Sequence, residues 1–334
     1  MGYLMDGVWH EDRPSTDKSG RFVRQATSFH NWVTPDGSPG PAGDGGFEAE
    51  PGRYHLYVAL ACPWAHRTLI FRKLKKLENV IGLSIVDTIS GPEGWVFSDA
   101  PGTIPDTVSG ARRLSDIYLL ANPTYTGRVT VPVLWDKKKQ TIVNNESSEI
   151  IRMFNSSFDA FTPVRTDFYP KALREEIDAI NKPIYETVNN GVYRSGFATT
   201  QEAYEEDCHA LFATLDMLEK RLSTQRYLVG STLTEADWRL FTTLVRFDAV
   251  YHGHFKCNLR RIIDYPNLSN YLRDLYQVPG VAKTVNMDHI KTHYYASHRS
   301  VNPTGIVPIG PDQDLNAPHD RASFDTASVR VAAS

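Results

Sequence analysis

The chain has 334 residues, with 36 Lys plus Arg against 39 Asp plus Glu and a formal net charge of −3; at about 150 residues per domain this suggests two domains with room for a sizeable core. The near-balanced charge excludes a generally basic phosphate-binding surface, so nucleic acid is not an expected partner. Three unevenly spaced cysteines, Cys62, Cys208 and Cys257, cannot build a disulfide framework and imply a reducing compartment.

The start, Met1 to Pro14, carries Asp6, Glu11 and Asp12 and has no apolar core, unlike a signal peptide. Asp6 stands where a myristoylation pattern wants Ser or Thr. The longest nearly apolar run, Tyr57 to Ala65, is far short of the ~20 residues a membrane helix needs. A soluble, cytoplasmic protein with no membrane partner is expected. The first fifty residues are polar and rich in Gly and Pro, yet contain Phe22, Phe29, Trp32 and Phe47. So many aromatics predict an extended arm (1–50) laid over a folded body.

Tyr54 to Leu60 is a short β-rich run that ends at Ala61-Cys62-Pro63-Trp64. Leu69, Ile70, Leu74 and Leu77 follow at helical spacing, and the basic run Arg72 to Lys76 between them reads as a solvated helix face. A second strand is expected over Val80 to Val86, and a short helix over Ser115 to Ala121. Val131 to Trp135 and Thr141 to Asn144 predict a hairpin, and Glu146 to Phe154 a helix. This β-α-β, β-β-α order is that of a thioredoxin-like α/β layer (51–160). A linker falls at about Phe158 to Tyr169. Helices are then expected over Ala172 to Val188, Gln201 to Leu222, Glu235 to Tyr251 and Pro266 to Gln277, giving an all-α second domain (170–300). Thr234 to Asp237 resembles a capping box, and Pro266 suits a first helical turn. The tail (301–334) is expected to be ordered only in part.

Cys62 precedes Pro63 at a strand-to-helix junction, so its sulfur should face the free N–H groups and positive end of the helix, which lowers a thiol pKa. Read as an ordinary cysteine it is a small buried hydrophobe; the junction and the proline favour the reactive reading. Ala65 occupies the place of a second motif cysteine, so the chemistry is monothiol: a mixed disulfide with an external thiol, resolved by another. Cys208 and Cys257 lack such a setting and read as core.

A proline opening the strand at Val131-Pro132 fits a special turn, with a cis bond plausible there. In a thioredoxin-like layer the Val131 backbone would pair with that of a γ-glutamyl-cysteine ligand. The dipeptide alone fits an ordinary proline turn equally well. Glu146 and Ser147, at a helix start, suit the ammonium and carboxylate of an amino acid, although simple capping by Ser147 or Ser148 accounts for the same residues. His252-Gly253-His254 through Cys257 has no second cluster to complete a zinc site, so no metal is expected. Nucleotide and serine-hydrolase motifs are absent.

With Cys62, Val131-Pro132 and Glu146-Ser147 assembled, the chain resembles the glutathione transferase superfamily. Ala61-Cys62-Pro63-Trp64-Ala65-His66-Arg67 is similar to the signature of its Xi class, the glutathionyl-hydroquinone reductases. The resemblance extends through Asp6-Gly7-Val8-Trp9-His10, Gly94-Trp95, Arg128 to Asp136, Asn189 to Tyr193 and Asn302 to Gly305. It implies a thioredoxin-like domain followed by the all-helical C-terminal domain of glutathione transferases, and a homodimer. It also implies glutathione as co-substrate and an S-glutathionyl-hydroquinone as the aromatic partner. By the same resemblance Cys62 is the nucleophile; Trp95, Arg128, Val131, Glu146 and Ser147 contact glutathione; and Tyr193, Tyr251 and Tyr294 surround the aromatic ring. An Omega-like thiol transferase or dehydroascorbate reductase and a non-catalytic binding module are the alternatives. His30 stands where a basic Arg is expected after Phe29, and the end beyond about Arg321 looks private to this chain. Neither departure is expected to touch the site.

Overall fold

The computed structural model describes residues 2–11 and 16–324. Two short strands, β1 (Tyr3–Met5) and β2 (Val8–His10), form a hairpin that sequence periodicity is too short to announce. Next come β3 (Tyr54–Val58), α1 (Pro63–Leu74), β4 (Gly82–Ile85), α2 (Leu114–Ala121), β5 (Gly127–Arg128), β6 (Val133–Asp136), β7 (Thr141–Asn144) and α3 (Ser147–Ser156). The main sheet has the order β4-β3-β6-β7. β3 pairs parallel with β4, with Val58 opposite Ile85, and antiparallel with β6, with Leu56 opposite Leu134. All five residues of β3 are buried, as a central strand covered on both faces requires. The first hairpin pairs through β1 with β5, so the arm supplies two strands of a separate three-stranded sheet, order β2-β1-β5.

The helical half contains α4 (Arg174–Pro183), α5 (Gly191–Phe197), α6 (Gln201–Leu222), α7 (Glu235–Arg246), α8 (Pro266–Gln277) and α9 (Met287–Ser297). The single helix expected over Ala172 to Val188 divides at Pro183 and continues as a π-helical turn, Ile184–Asn189. Proline lacks the N–H that an α-helical ladder needs there. The helix expected from Glu235 to Tyr251 divides likewise, with a π-helical turn over Phe247–Tyr251. The capping box is present, with the Thr234 N–H donating to Asp237 Oδ2 at 2.8 Å. Helices α5 and α9 escape the periodicity: the first has seven residues, two of them glycine, and the second buries only four of its eleven.

The basic run on α1 is not a solvated face. Lys75 is buried, with Nζ 3.0 Å from Asp159 and donating to Thr166 O at 2.9 Å; Arg72 donates to Ile81 O at 2.9 Å. Lys75 fastens the end of α1 to the connection between the two halves, where Thr162 also donates to Lys75 O, and Arg72 ties α1 to the turn that leads into β4. The arm is pinned at several places. Thr199 N donates to Gly20 O at 3.0 Å, and Asn145 N to Phe29 O at 3.2 Å. In the tail, the buried Arg321 guanidinium donates to Leu222 O at 2.7 Å and Arg226 O at 2.8 Å. The last ten residues of the tail lie outside the described residues.

Candidate active site

Cys62 is the residue immediately before α1, in extended conformation, with Pro63 in the first helical turn. The turn that carries it is held from the helical half. Arg246, fully buried at the end of α7, donates to Leu60 O (3.0 Å), Ala61 O (2.9 Å) and Thr242 O (2.8 Å). Its Nη1 also lies 3.0 Å from His66 Nδ1, whose ring reaches Thr284 Oγ1 at 2.8 Å through Nε2. Burial beside Arg246 keeps His66 well below its usual pKa. The ring is therefore neutral, so its Nδ1 accepts from the guanidinium and its Nε2 carries the proton.

The Cys62 thiol donates to Val131 O at 3.6 Å. Burial pushes its pKa above the usual 9; the N–H groups of Ala65 and Trp64 and the charges of Arg246 and Arg24 pull the other way. The helix-terminus effect expected from sequence is present, and burial of the thiol opposes it.

The Val131–Pro132 bond is cis. Glu146, rather than a serine, caps α3, accepting from Ser148 N and Ser148 Oγ, each at 3.0 Å. Ser147 is the first helical residue, and its Oγ lies 3.4 Å from Arg67 Nη1. Arg67 is itself buried, against the Trp64 ring and Asn189 Oδ1. Trp95, Arg128, Val131, Glu146 and Ser147 line one cavity with Cys62, of about 630 Å³.

Tyr193 and Tyr294 line the same cavity. Their hydroxyls are 2.5 Å apart, and Tyr251 OH lies 3.0 Å from Tyr294 OH. Burial raises the pKa of all three phenols, so each keeps its proton. Tyr251 is fully buried and does not line the cavity; it supports Tyr294 from behind. The structure thus brings eight of the nine expected residues to one cavity and places the ninth one hydrogen bond away.

Sequence reasoning missed the contribution of the arm. Phe22, Arg24, Gln25, Thr27 and His30 form one wall. The Arg24 guanidinium sits over the Trp64 ring (4.8 Å) and the Tyr193 ring (5.0 Å). His30, expected to lie clear of the site, lines the cavity: its Nδ1 is 3.0 Å from Glu149, and Thr27, which contacts its Nε2, also reaches Glu146. His293 and His298 complete the far side. Only the aromatic density of the first fifty residues signalled such a wall. His293 and His298 lie on and just beyond α9, the helix that periodicity does not reveal.

A thioredoxin-like layer that presents a single thiol to an amino-acid-sized cradle, backed by a helical domain, defines a glutathione transferase. The family models agree: residues 61–157 match the glutathione S-transferase N-terminal domain, and residues 201–274 its C-terminal domain. The chain is 58% identical over 323 residues to glutathionyl-hydroquinone reductase YqjG of Escherichia coli K12, covering 96% of this chain and 98% of that one. It is 57% identical to glutathionyl-hydroquinone reductase PcpF of Sphingobium chlorophenolicum, covering 94% and 98%. The glutathione-bound structure of YqjG superposes with a TM-score of 0.89 at 57% identity, covering 96% of this chain and 99% of that one. A Xi-class glutathione transferase from Natrialba magadii superposes with a TM-score of 0.90 at 51% identity, covering 97% of each. The chain belongs to the glutathionyl-hydroquinone reductases, the Xi class of glutathione transferases.

Proposed function

We propose that this enzyme reduces S-glutathionyl-hydroquinones to hydroquinones at the expense of glutathione, through a mixed disulfide on Cys62. The observation that carries this reading is the meeting, in one cavity, of the Cys62 thiol, the Val131 carbonyl and the Tyr193–Tyr294 hydroxyl pair. In the proposed reaction the Cys62 thiolate attacks the thioether sulfur of the substrate. The carbon–sulfur bond breaks, its electrons return to the ring, and Cys62 keeps the glutathionyl group. A second glutathione attacks as thiolate and leaves as the disulfide.

An aromatic carbon leaves only after the ring has taken a keto form, and the departing enolate must be stabilised. The Tyr193–Tyr294 pair supplies the proton and the hydrogen bonds, with Tyr251 holding Tyr294. Glu146 would pair with the ligand ammonium, while Ser147 and Arg128 would receive carboxylate. The Val131 backbone would pair with the cysteinyl residue, and Trp95 would pack against the peptide. The same proposal includes the division into arm, thioredoxin-like domain, helical domain and tail, a homodimer, and a cytoplasmic location. The three free cysteines suit a reducing compartment. Among the described residues no helix is long and apolar enough to cross a membrane.

Incubation with glutathionyl-menadiol and glutathione should release the free hydroquinone and glutathione disulfide. The variant Cys62→Ser should bind glutathione and release neither product. Full turnover by that variant would overturn the covalent route. Turnover of dehydroascorbate but not of the aromatic thioether would favour the Omega-like reading.

A further inference from the structure

His293 is one of the cavity groups that the reaction above leaves unused. His293 lies on α9 beside Tyr294, with ring centroids 5.4 Å apart, and stacks on Trp95 at 4.8 Å and 24°. Its Nδ1 is 3.0 Å from the Thr88 carbonyl and 3.3 Å from Ser297 Oγ. A carbonyl only accepts, so Nδ1 carries the proton. The ring is buried and faces His254, His298, Tyr294 and the charge of Arg246; burial pushes its pKa down to about 4, so it is neutral near pH 7. Its Nε2 therefore presents a lone pair. That atom has no partner among the described residues, and it is not one of the polar atoms sealed from solvent. The ring lines the cavity, and Nε2 is the ring nitrogen left to a bound molecule.

We infer that His293 Nε2 is the acceptor for the hydroxyl proton of the hydroquinone ring, and so a catalytic base of the reaction proposed above, on which this inference rests. The steps balance. The ring hydroxyl gives its proton to Nε2, and the Tyr193–Tyr294 pair gives one to the carbon that bears sulfur, which yields the keto form. The Cys62 thiol gives its proton to the tyrosinate and as thiolate takes the glutathionyl sulfur, and the carbon–sulfur electrons return to the ring as hydroquinonate. The imidazolium returns its proton to that oxygen, and hydroquinone leaves. The incoming glutathione attacks the mixed disulfide as thiolate, glutathione disulfide leaves, and Cys62 takes up the proton that the glutathione thiol lost. The fixed Nδ1–H···O=C bond to Thr88 aims the lone pair, and stacking on Trp95 fixes the plane of the ring.

The test separates two substrates that leave the same group on Cys62. In single turnover, His293→Phe keeps a ring against Trp95 but has no base. It should release hydroquinone from glutathionyl-menadiol about 10²-fold more slowly or worse, the usual range for a lost general base. The mixed disulfide of glutathione and 2-mercaptoethanol has no ring hydroxyl and should react at the parent rate. His293→Gln accepts a hydrogen bond but takes no proton, so it should show the same split; it serves in place of the Phe variant if that one fails to fold. Parent-rate hydroquinone release by a folded variant would overturn the inference. Equal slowing of both substrates would also overturn it, by placing His293 in the support of Trp95 instead. A parent enzyme that reacts with the disulfide but never with the thioether would overturn the proposed reaction itself.

Discussion

Arg246 is the bolt between the two halves at the reactive thiol, and its removal has consequences of computable size. The side chain is fully buried and serves three main-chain carbonyls and one imidazole. In Arg246→Leu the volume is largely kept, but the carbonyls of Leu60, Ala61 and Thr242 and the Nδ1 of His66 lose their donor. Each buried acceptor left unpaired costs about 1–3 kcal/mol, less when shared rearrangement relieves several together. A loss of about 3–5 kcal/mol follows, the range also found when one member of a buried charged network is removed. For a chain of this size that lowers the melting temperature by on the order of 10 °C. The same substitution removes one of the charges that favour the Cys62 thiolate, so the thiol should titrate higher still. Denaturant midpoints give the first quantity, and the pH dependence of iodoacetamide alkylation gives the second. A variant with the parent's midpoint and the parent's alkylation profile would refute the claim that Arg246 positions the turn.

Three further outcomes are expected. In the free enzyme, alkylation of Cys62 should still be rising with pH at 9, because burial holds the thiol above its usual value; a midpoint below 7 would show that the helix terminus wins after all. Burial opposes charge on His30, but Glu149 and the Thr27 carbonyl raise its pKa above 6.5 overall. Its ion pair should therefore stabilise the fold below pH 6.5 and lose that contribution as pH rises past the raised value. Both partners are partly exposed, so the difference between parent and His30→Ala should be under about 1 kcal/mol and should shrink toward pH 8 in chemical denaturation. A Cβ on Gly196 would meet Phe255 Cγ at 2.1 Å. Gly196→Ala should therefore cost about 1–3 kcal/mol and slow hydroquinone release, since Phe255 stacks on Tyr251 at 5.6 Å.

The elements with a strong local signal were legible in the sequence. Thr141–Asn144, Gln201–Leu222 and Pro266–Gln277 occur with the boundaries their pattern predicts, because alternation or a continuous apolar stripe marks each one. Cys62 was legible through Pro63, and Val131 and Glu146 through their places at a strand start and a helix start. The tyrosines were not: Tyr193 and Tyr294 stand 101 residues apart, and only the family resemblance joined them. The arm's share of the cavity was invisible for a different reason. Arg24 and His30 act through contacts with rings and carboxylates 40 to 169 residues away, and local pattern holds no record of such pairings. The burial that opposes the helix terminus at Cys62 was not legible, because a helix terminus is a local property, whereas burial is imposed by the whole fold.

The wall built by the arm also bears on how the enzyme is made. Phe22 leaves the ribosome early, but Phe197, on which it stacks at 5.6 Å, follows 175 positions later. At ~5–20 residues per second that interval is roughly 9–35 s. Arg246, which holds the turn around Cys62, emerges later still, and α9 with His293 and Tyr294 later again. The thiol is thus synthesised well before the helical half that closes the other side of its cavity. The nascent chain carries its nucleophile open on that side through most of translation, and only completion of the helical half converts an ordinary accessible cysteine into a guarded one.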